Sequence, residues 1–134
     1  MTMITGACFC KAIHYRIETG ISIAVNCHCT QCRGSGGAAF SSHVVVRKRR
    51  FEIISGEESL SLFQLGESVT KHFCSHCGTP IFNRNKRYPG HCMVSLGSLD
   101  DPTVVTPSAN IHCDSQLDWV SLDKQMQNFP QDYS

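Results

Sequence analysis

The chain has 134 residues, the usual size of one domain, and is long enough to bury one core without a partner. Hydrophobic residues make up 41% and charged residues 17%, a composition that argues against intrinsic disorder. Lys and Arg number 12 against 11 Asp and Glu, so the charge balance does not indicate a polyionic partner. Neither a leader pattern nor a long apolar run is present. We therefore expect one soluble, cytoplasmic domain over residues 1–134, without a membrane partner.

Alternating apolar residues predict β-strands in the first half of the chain. Residues 13–17 place three apolar side chains on one face, and residues 21–25 repeat the period. Segments rich in β-branched or apolar residues follow at 40–46 and 51–54. The second of these ends at Ser55-Gly56, a turn signal.

Further strands are predicted in the second half. Residues 60–65 and 69–73 flank Gly66-Glu67, which has the composition of a hairpin turn. Residues 92–96 form another apolar segment. Weaker strand signals lie at 109–113 and 117–120, and residues 84–90 have the composition of a flexible loop. No segment shows a sustained helical period, so the predicted class is mainly β, with short antiparallel strands.

Nine cysteines stand out in so short a chain, and they first suggest disulfides. Their number is odd, and two sets place thiols only two residues apart, where a bridge between them would be strained. A chain without an export signal also keeps its thiols reduced. Metal binding is the favoured interpretation, with redox chemistry and structural disulfides as the alternatives.

Seven of the cysteines fall into three groups along the chain. They are Cys8 and Cys10, then Cys27, Cys29 and Cys32, then Cys74 and Cys77. A closed zinc site takes four ligands, which two pairs supply together, whereas three ligands leave one position open for water or substrate. The grouping predicts two zinc ions per chain, one structural and one catalytic.

The structural zinc is predicted on Cys8, Cys10, Cys74 and Cys77, where it would hold the first strand to the middle of the chain. Closing so long a loop stabilises the fold, because binding of a structural zinc is coupled to folding. Gly78 follows the last of these cysteines and suits a tight turn, since glycine accepts a positive φ.

The open zinc site is predicted on Cys27, Cys29 and Cys32, which precede a run of small residues. Such a site suits thiol, alcohol or carbonyl ligands. His28 or a distant histidine could instead close the site as a fourth ligand. Arg33 follows the last cysteine and is a candidate substrate contact; a surface arginine is the alternative.

Three other features have weaker interpretations. The basic run at residues 47–50 could bind nucleic acid, but a solvated turn between two strands is favoured. His112 and Trp119 could line a pocket or belong to the packing. Cys92 and Cys113 lie among apolar residues, as buried free cysteines often do.

The cysteine groups and their neighbours resemble a known family, the glutathione-dependent formaldehyde-activating enzymes with their centromere protein V relatives. The similarity covers nearly the whole chain. It lies in Gly6-Ala7-Cys8-Phe9-Cys10, Ile13-His14-Tyr15, Cys27-His28-Cys29-Thr30-Gln31-Cys32-Arg33, Phe73-Cys74-Ser75-His76-Cys77-Gly78, Gly56-Glu57, Leu96-Gly97-Ser98-Leu99-Asp100-Asp101, Ile111-His112 and Trp119.

The resemblance implies an Mss4-like fold and the same division of cysteines into a structural and a catalytic zinc site. It also implies a carbon-sulfur lyase that interconverts S-(hydroxymethyl)glutathione with glutathione and formaldehyde. The partner would then be a small thiol or thiol-aldehyde adduct, with Arg33, Arg84, Lys86 and Arg87 as candidate contacts for its carboxylates. One departure is Lys11, which stands where the family usually has glycine.

A non-catalytic, zinc-stabilised binding module is the alternative to the lyase. It predicts a fourth ligand at the triplet and no pocket beside it. The physiological thiol and aldehyde, and the oligomeric state, are left open by the sequence.

Overall fold

The computed structural model describes residues 3–18 and 21–132. Within this part, eleven strands, one α-helix and five short 3-10 turns are present. The strands are β1 (Met3–Ala7), β2 (His14–Glu18), β3 (Ile21–Cys27), β4 (Ser41–Arg47), β5 (Phe51–Ser55), β6 (Leu60–Leu65), β7 (Val69–Cys74), β8 (Pro80–Asn85), β9 (His91–Ser95), β10 (Ala109–Ile111) and β11 (Gln127–Asn128). The helix α1 spans Thr30–Gly36, and the 3-10 turns span Lys48–Arg50, Glu57–Ser59, Leu96–Ser98, Pro102–Val104 and Cys113–Ser115.

The strands form two sheets. The smaller sheet has the order β1-β2-β5, and the larger has the order β11-β10-β3-β4-β9-β8-β7-β6. Most neighbours are antiparallel, but β10 runs parallel to both β3 and β11. The mainly β class predicted from the sequence is confirmed.

The core connects the two sheets. Tyr15 on β2 packs on Phe51, with ring centroids 5.4 Å apart, and Phe51 in turn packs on Phe82 of β8 at 4.8 Å. Ile17 of β2 and Val94 of β9 are fully buried in the same cluster. Burial of these side chains supplies the main driving force for joining the sheets.

The larger sheet presents different side chains on its two faces, because successive residues of a strand alternate. Ala24, Val44 and Val94 are buried, and they are direct partners across β3, β4 and β9. The next row, Val45 and Met93, lines a cavity instead. The sheet therefore has a core face and a cavity face.

The predicted strands agree with the observed ones at most positions, and the disagreements have local causes. The strand predicted at 117–120 is wrong: this segment is a turn, in which the Val120 amide donates to the Leu117 carbonyl at 3.0 Å. Strand β8 extends to Asn85, so the loop predicted from residue 84 begins too early. No strand was predicted at β1, β8 or β11, and no helix at α1.

Helix α1 escaped prediction because its sequence, TQCRGSG, contains two glycines and presents no buried side chain. Its ends are fixed by local hydrogen bonds instead. The Cys29 sulfur caps the first turn, and the Gly37 amide donates to the Arg33 carbonyl at 2.8 Å. Among the described residues, no helix has the length and apolarity needed to cross a membrane.

Candidate metal centres and the adjoining cavity

Four cysteines converge where the two sheets meet. The sulfur atoms of Cys8, Cys10, Cys74 and Cys77 all lie within 4.8 Å of one another. The Cys8–Cys10 separation is 3.6 Å and the Cys10–Cys74 separation is 3.7 Å. A tetrahedral zinc with bonds of about 2.3 Å requires sulfur atoms about 3.8 Å apart, so this group fits one zinc ion.

Two tight turns present these sulfur atoms. The Lys11 amide donates to the Cys8 carbonyl at 3.1 Å, and the Gly78 amide donates to the Cys74 carbonyl at 2.8 Å. Backbone N–H groups also point at sulfur, with the Ile13 amide 3.2 Å from Cys8 Sγ. Such bonds favour the thiolate form, which is the form that binds metal.

The residue after each cysteine pair adopts the left-handed conformation. Gly78 has φ 79° and Lys11 has φ 68°. Glycine accepts this conformation without a Cβ penalty, whereas a lysine there costs about 1 kcal/mol. The departure at Lys11 therefore changes the energy of the turn but leaves the four sulfur atoms together.

Lys11→Gly is expected to raise the free energy of unfolding by about 0.5–1 kcal/mol, because it removes the left-handed penalty. Urea denaturation of the metal-loaded protein measures this change. Lys11→Ala is the matched control, since alanine removes the side chain but keeps the penalty. A glycine variant no more stable than the alanine variant would contradict the explanation.

His76 lies between two of the cysteines without joining their group. Its Nε2 is 3.1 Å from the Ser59 hydroxyl. Cys77 is exposed, and its hydrogen bond with the Thr79 hydroxyl lowers its pKa to about 5. This thiol is thus ionised near neutral pH, in the form required of a metal ligand.

The second group contains three cysteines at the start of α1. Cys27 ends β3, Cys29 caps the helix and Cys32 lies in its first turn. Their sulfur atoms lie within 4.8 Å of one another, and the Cys32 thiol donates to Cys27 Sγ at 3.2 Å. Within the described part of the chain, no histidine or carboxylate joins this group.

Hydrogen bonds within the triplet favour the thiolate form of its middle member, Cys29. Hydrogen bonds from the thiols of Cys27 and Cys32 lower the pKa of Cys29, and the Cys32 amide adds a third bond at 3.2 Å. The hydrogen bond with Cys29 raises the pKa of Cys27 to about 12. A bound cation would replace the protons that these three thiols share.

His28 has a structural task, so the alternative of His28 as fourth ligand finds no support. Its side chain is buried, and Nε2 is 3.0 Å from Asn110 Oδ1. Asn110 Nδ2 donates to Asn128 Oδ1 at 2.8 Å, which leaves its oxygen to accept from His28. The ring also packs on Phe40 at 4.9 Å. These contacts tie the loop between Cys27 and Cys29 to β10 and β11.

Arg33 also contacts the backbone around the triplet. Its Nη1 donates to the His28 carbonyl at 2.9 Å and to the Ser115 carbonyl. The side chain thereby joins the loop between Cys27 and Cys29 to the 3-10 turn at Cys113–Ser115. These bonds support a positioning role, and substrate contact by Arg33 stays a prediction.

A cavity of about 610 Å³ opens beside the triplet, on the cavity face of the larger sheet. Cys27, Cys29 and Cys32 form one wall. Strands β3, β4, β8 and β9 form the floor, and the β6–β7 turn lies opposite α1. The other lining residues are Ile23, Val25, Thr30, Gln31, Ser35, His43, Val45, Leu65, Gly66, Glu67, Ser68, Val69, Asn83, Asn85, Arg87, Tyr88, His91, Met93, Ile111, His112 and Asp132.

Two histidines of the cavity stand near the triplet. His112 adopts the left-handed conformation with φ 55°, and its charge contributes to the lowered pKa of Cys29. His43 lies on β4 opposite Val25, and its Nδ1 is buried without a hydrogen-bond partner. Burial lowers the pKa of His43 to about 4, although Cys29 opposes the shift. At neutral pH His43 therefore presents a neutral imidazole to the cavity.

The role of His43 was missed from the sequence. Its one signal was the period of β4, in which His43 shares a face with Val45 while Val44 and Val46 are buried.

Of the other predicted residues, His112 and Arg87 line the cavity. Trp119 is 73% exposed, and Arg84 donates to the Pro89 carbonyl at 3.0 Å. The basic run forms the 3-10 turn Lys48–Arg50 between β4 and β5, as the favoured interpretation predicted.

His43→Gln is expected to reduce the loss in free energy of unfolding that occurs as the pH falls below 7. Because the folded-state pKa of about 4 lies below the unfolded value, the unfolded chain binds more protons between pH 6.5 and 4. His43 thus lowers the free energy of unfolding by about 2 kcal/mol from pH 7 to pH 5. Urea denaturation at both pH values measures the difference.

His14→Gln, which replaces an exposed histidine on β2, is the matched control for this experiment. Metal ligands protonate in both variants, so their contribution cancels when the two are compared. Equal pH profiles for His43→Gln and the wild type would contradict a buried, neutral His43.

Comparison with known proteins agrees with this arrangement of cysteines. The profile of the family described as glutathione-dependent formaldehyde-activating enzyme matches residues 3–115, which include all three cysteine groups. The chain belongs to this family. The match to the glutathione-dependent formaldehyde-activating enzyme family thus spans both cysteine groups and most of the fold.

Individual relatives are distant in sequence. A Halomonas elongata protein named "Putative glutathione-dependent formaldehyde-activating enzyme" is 23% identical over 94% of this chain and 85% of its own length. An Aspergillus flavus protein of the same name is 27% identical, over 58% of this chain and 41% of its own length. A crystal structure of a Rhodobacter sphaeroides protein superposes with a TM-score of 0.63 at 26% identity, covering 77% of this chain and 91% of that one.

Proposed function

We propose that the chain is a zinc-dependent carbon-sulfur lyase acting on thiol-aldehyde adducts, with S-(hydroxymethyl)glutathione as the adduct named by the family. The observation that carries this proposal is the triplet of Cys27, Cys29 and Cys32 on the wall of a cavity. The alternative, a non-catalytic binding module, requires a closed fourth ligand and no adjoining cavity. The geometry around the triplet favours the enzyme.

The proposal assigns two zinc ions per chain. Cys8, Cys10, Cys74 and Cys77 would hold a structural ion, because all four positions are filled by sulfur. Cys27, Cys29 and Cys32 would hold the catalytic ion and leave one position facing the cavity. The reduced thiols that both sites need are those of a cytoplasmic protein, which is the compartment we propose.

The reaction breaks one bond and transfers one proton. In the adduct HO–CHR–SR′, the C–S bond breaks and its electron pair goes to sulfur. The hydroxyl oxygen loses its proton, and the O–H electron pair forms the second bond of the carbonyl. The proton passes to the thiolate sulfur, directly or through solvent, so the products are the aldehyde and the thiol HS–R′. Bound zinc would act as a Lewis acid toward the adduct. The reverse reaction joins thiol and aldehyde with the same atoms.

The protein's own side chains would orient the adduct. His43 lines the cavity beside the triplet, and its neutral imidazole would accept a hydrogen bond from the adduct's hydroxyl through a ring nitrogen. Arg33 holds the loop through the His28 carbonyl and keeps the three sulfur atoms together.

The test is the exchange rate between thiol and hydroxymethyl thiol, measured by NMR with protein that carries two zinc ions. We expect acceleration by wild-type protein and a loss of about 10²-fold or more for His43→Val, with partial recovery in His43→Gln, which keeps a hydrogen-bonding group. Zinc-loaded wild type that leaves the rate unchanged for several thiols would overturn the proposal.

A further inference from the structure

The floor of the cavity includes an apolar surface that extends along β3 from a proposed metal ligand and crosses to β4 and β9. Ile23, Val25 and Cys27 alternate along β3 and all line the cavity. Across the sheet, Ile23 pairs with Val45, and Val45 pairs with Met93. One apolar row, Ile23, Val45 and Met93, therefore crosses three strands. A second row runs along β3 from Ile23 through Val25 to Cys27 of the triplet.

The length of this surface exceeds what formaldehyde can use. Residues two apart on a strand are separated by about 7 Å, so Ile23 lies about 13 Å along β3 from Cys27. The carbon of a formaldehyde adduct bears hydrogen atoms only, and it would leave the half-buried side chains of Ile23 and Val45 in contact with water. A substituent on that carbon, or on the sulfur, would cover them.

The charged side chains that line the cavity provide little electrostatic attraction for a ligand with several carboxylates. Among the described lining residues, Arg87 is the one arginine and lysine is absent. Arg87 lies 3.8 Å from Asp132 Oδ2, an atom that also accepts the Tyr88 hydroxyl at 2.6 Å. Glu67 adds a second carboxylate to the lining.

Two other positively charged side chains, Arg33 and Lys71, donate hydrogen bonds to backbone carbonyls around α1. Arg33 donates to the carbonyls of His28 and Ser115, and Lys71 Nζ donates to the Ser35 carbonyl at 2.5 Å. Their charges stabilise α1 and its loop. Apolar contact is thus the larger source of affinity that this cavity offers.

We propose that the preferred adduct carries an apolar chain of about four to eight carbons, packed along Ile23, Val45 and Met93. This inference rests on the proposed function and narrows its substrate class. The chain enters either from the aldehyde or from the thiol; both place the same methylene groups on the floor. The bond that breaks is the same C–S bond, and no co-reactant is required.

Two series of adducts identify the source of the chain. The first combines 2-mercaptoethanol with formaldehyde, butanal or hexanal, and the second combines formaldehyde with ethanethiol, butanethiol or hexanethiol. We expect kcat/KM to rise about fourfold for each methylene that becomes buried, in one of the two series. A kcat/KM that is independent of chain length in both series overturns the inference, even when formaldehyde exchange is fast.

Val45→Thr tests the floor itself, because threonine keeps the β-branched shape and adds a hydroxyl. We expect it to lower kcat/KM for the six-carbon adduct about tenfold more than kcat/KM for the formaldehyde adduct of 2-mercaptoethanol. Val104→Thr is the matched control, since Val104 is 50% exposed and does not line the cavity. Equal losses for both adducts would overturn the inference.

Binding without turnover separates this inference from the proposed function. Alkyl 2-hydroxyethyl thioethers cannot undergo the reaction, and calorimetry measures their Kd for the zinc-loaded protein. A Kd that falls from methyl to hexyl in wild type, and less steeply in Val45→Thr, supports the apolar floor even if no adduct is turned over. A constant Kd overturns it.

Discussion

Replacing Cys77 by serine is expected to unfold the protein at 37 °C. Cys77 belongs to the four-sulfur group that joins the turn after β1 to the turn after β7. Structural zinc contributes about 10–16 kcal/mol of binding free energy in zinc-finger peptides, whereas a whole domain is stable by about 5–15 kcal/mol. Losing one of four ligands therefore removes a large part of the stability.

Circular dichroism during heating and metal analysis by mass spectrometry measure this effect. We expect the variant to lose the cooperative transition and the structural zinc together. Cys113→Ser is the matched control, because Cys113 lies outside both cysteine groups, and it should keep two zinc ions and the fold. A Cys77→Ser variant that melts like wild type would show that the four-sulfur group does not stabilise the fold.

The two cysteine groups differ in how the chain is attached to them. The four-sulfur group links segments that are distant in sequence, with Cys10 and Cys74 64 residues apart. The triplet lies within a single segment of six residues, which the surrounding fold already positions through His28 and Arg33. We therefore expect a metal ion in the first group to stabilise the fold more than one in the triplet, because it closes the longer loop.

The two groups of cysteines that the structure brings together are the ones that the sequence predicted, because ligand spacing is a local property. Cys27, Cys29 and Cys32 meet by virtue of a turn and one helical capping bond, which any short segment can form. The four-sulfur group was predicted from the number of cysteines, since two pairs supply the four ligands of one tetrahedral site. The strands carrying clear alternation, β2 and β3, were predicted for the same local reason.

The cavity could not be predicted, because it depends on which face of each strand is covered. Strand β8 begins with Pro80 and carries Asn83 and Asn85, so its polar residues resembled a loop. In the fold, Asn83 pairs with Met93 and both line the cavity. His43 was missed for the same reason, since only the register of β3 and β4 places it beside the triplet.

Helix α1 shows a different limit of sequence interpretation. Its glycines lower its intrinsic propensity, and its seven residues present no buried face. The helix forms because the Cys29 sulfur caps it, Lys71 bonds to the Ser35 carbonyl, and the Ser41 hydroxyl bonds to the Cys32 carbonyl. All three contacts were invisible without the fold.

Cys29→Ser is expected to remove the catalytic zinc while leaving the fold intact. The serine oxygen can still cap α1 by accepting from the Cys32 amide, so the loss in free energy of unfolding should stay below about 1 kcal/mol. Metal content should fall from two zinc ions to one, and thiol-adduct exchange should fall by about 10²-fold or more because the Lewis acid is lost.

Cys29→Ala separates the cap from the metal. It should lose the same zinc and the same activity, but it should cost about 1 kcal/mol more than Cys29→Ser, since alanine cannot accept the Cys32 amide. Thermal melts, metal analysis and exchange rates for the two variants give the three comparisons. If Cys29→Ser unfolds as Cys77→Ser does, the triplet is structural, its proposed vacancy does not exist, and the lyase assignment fails with it.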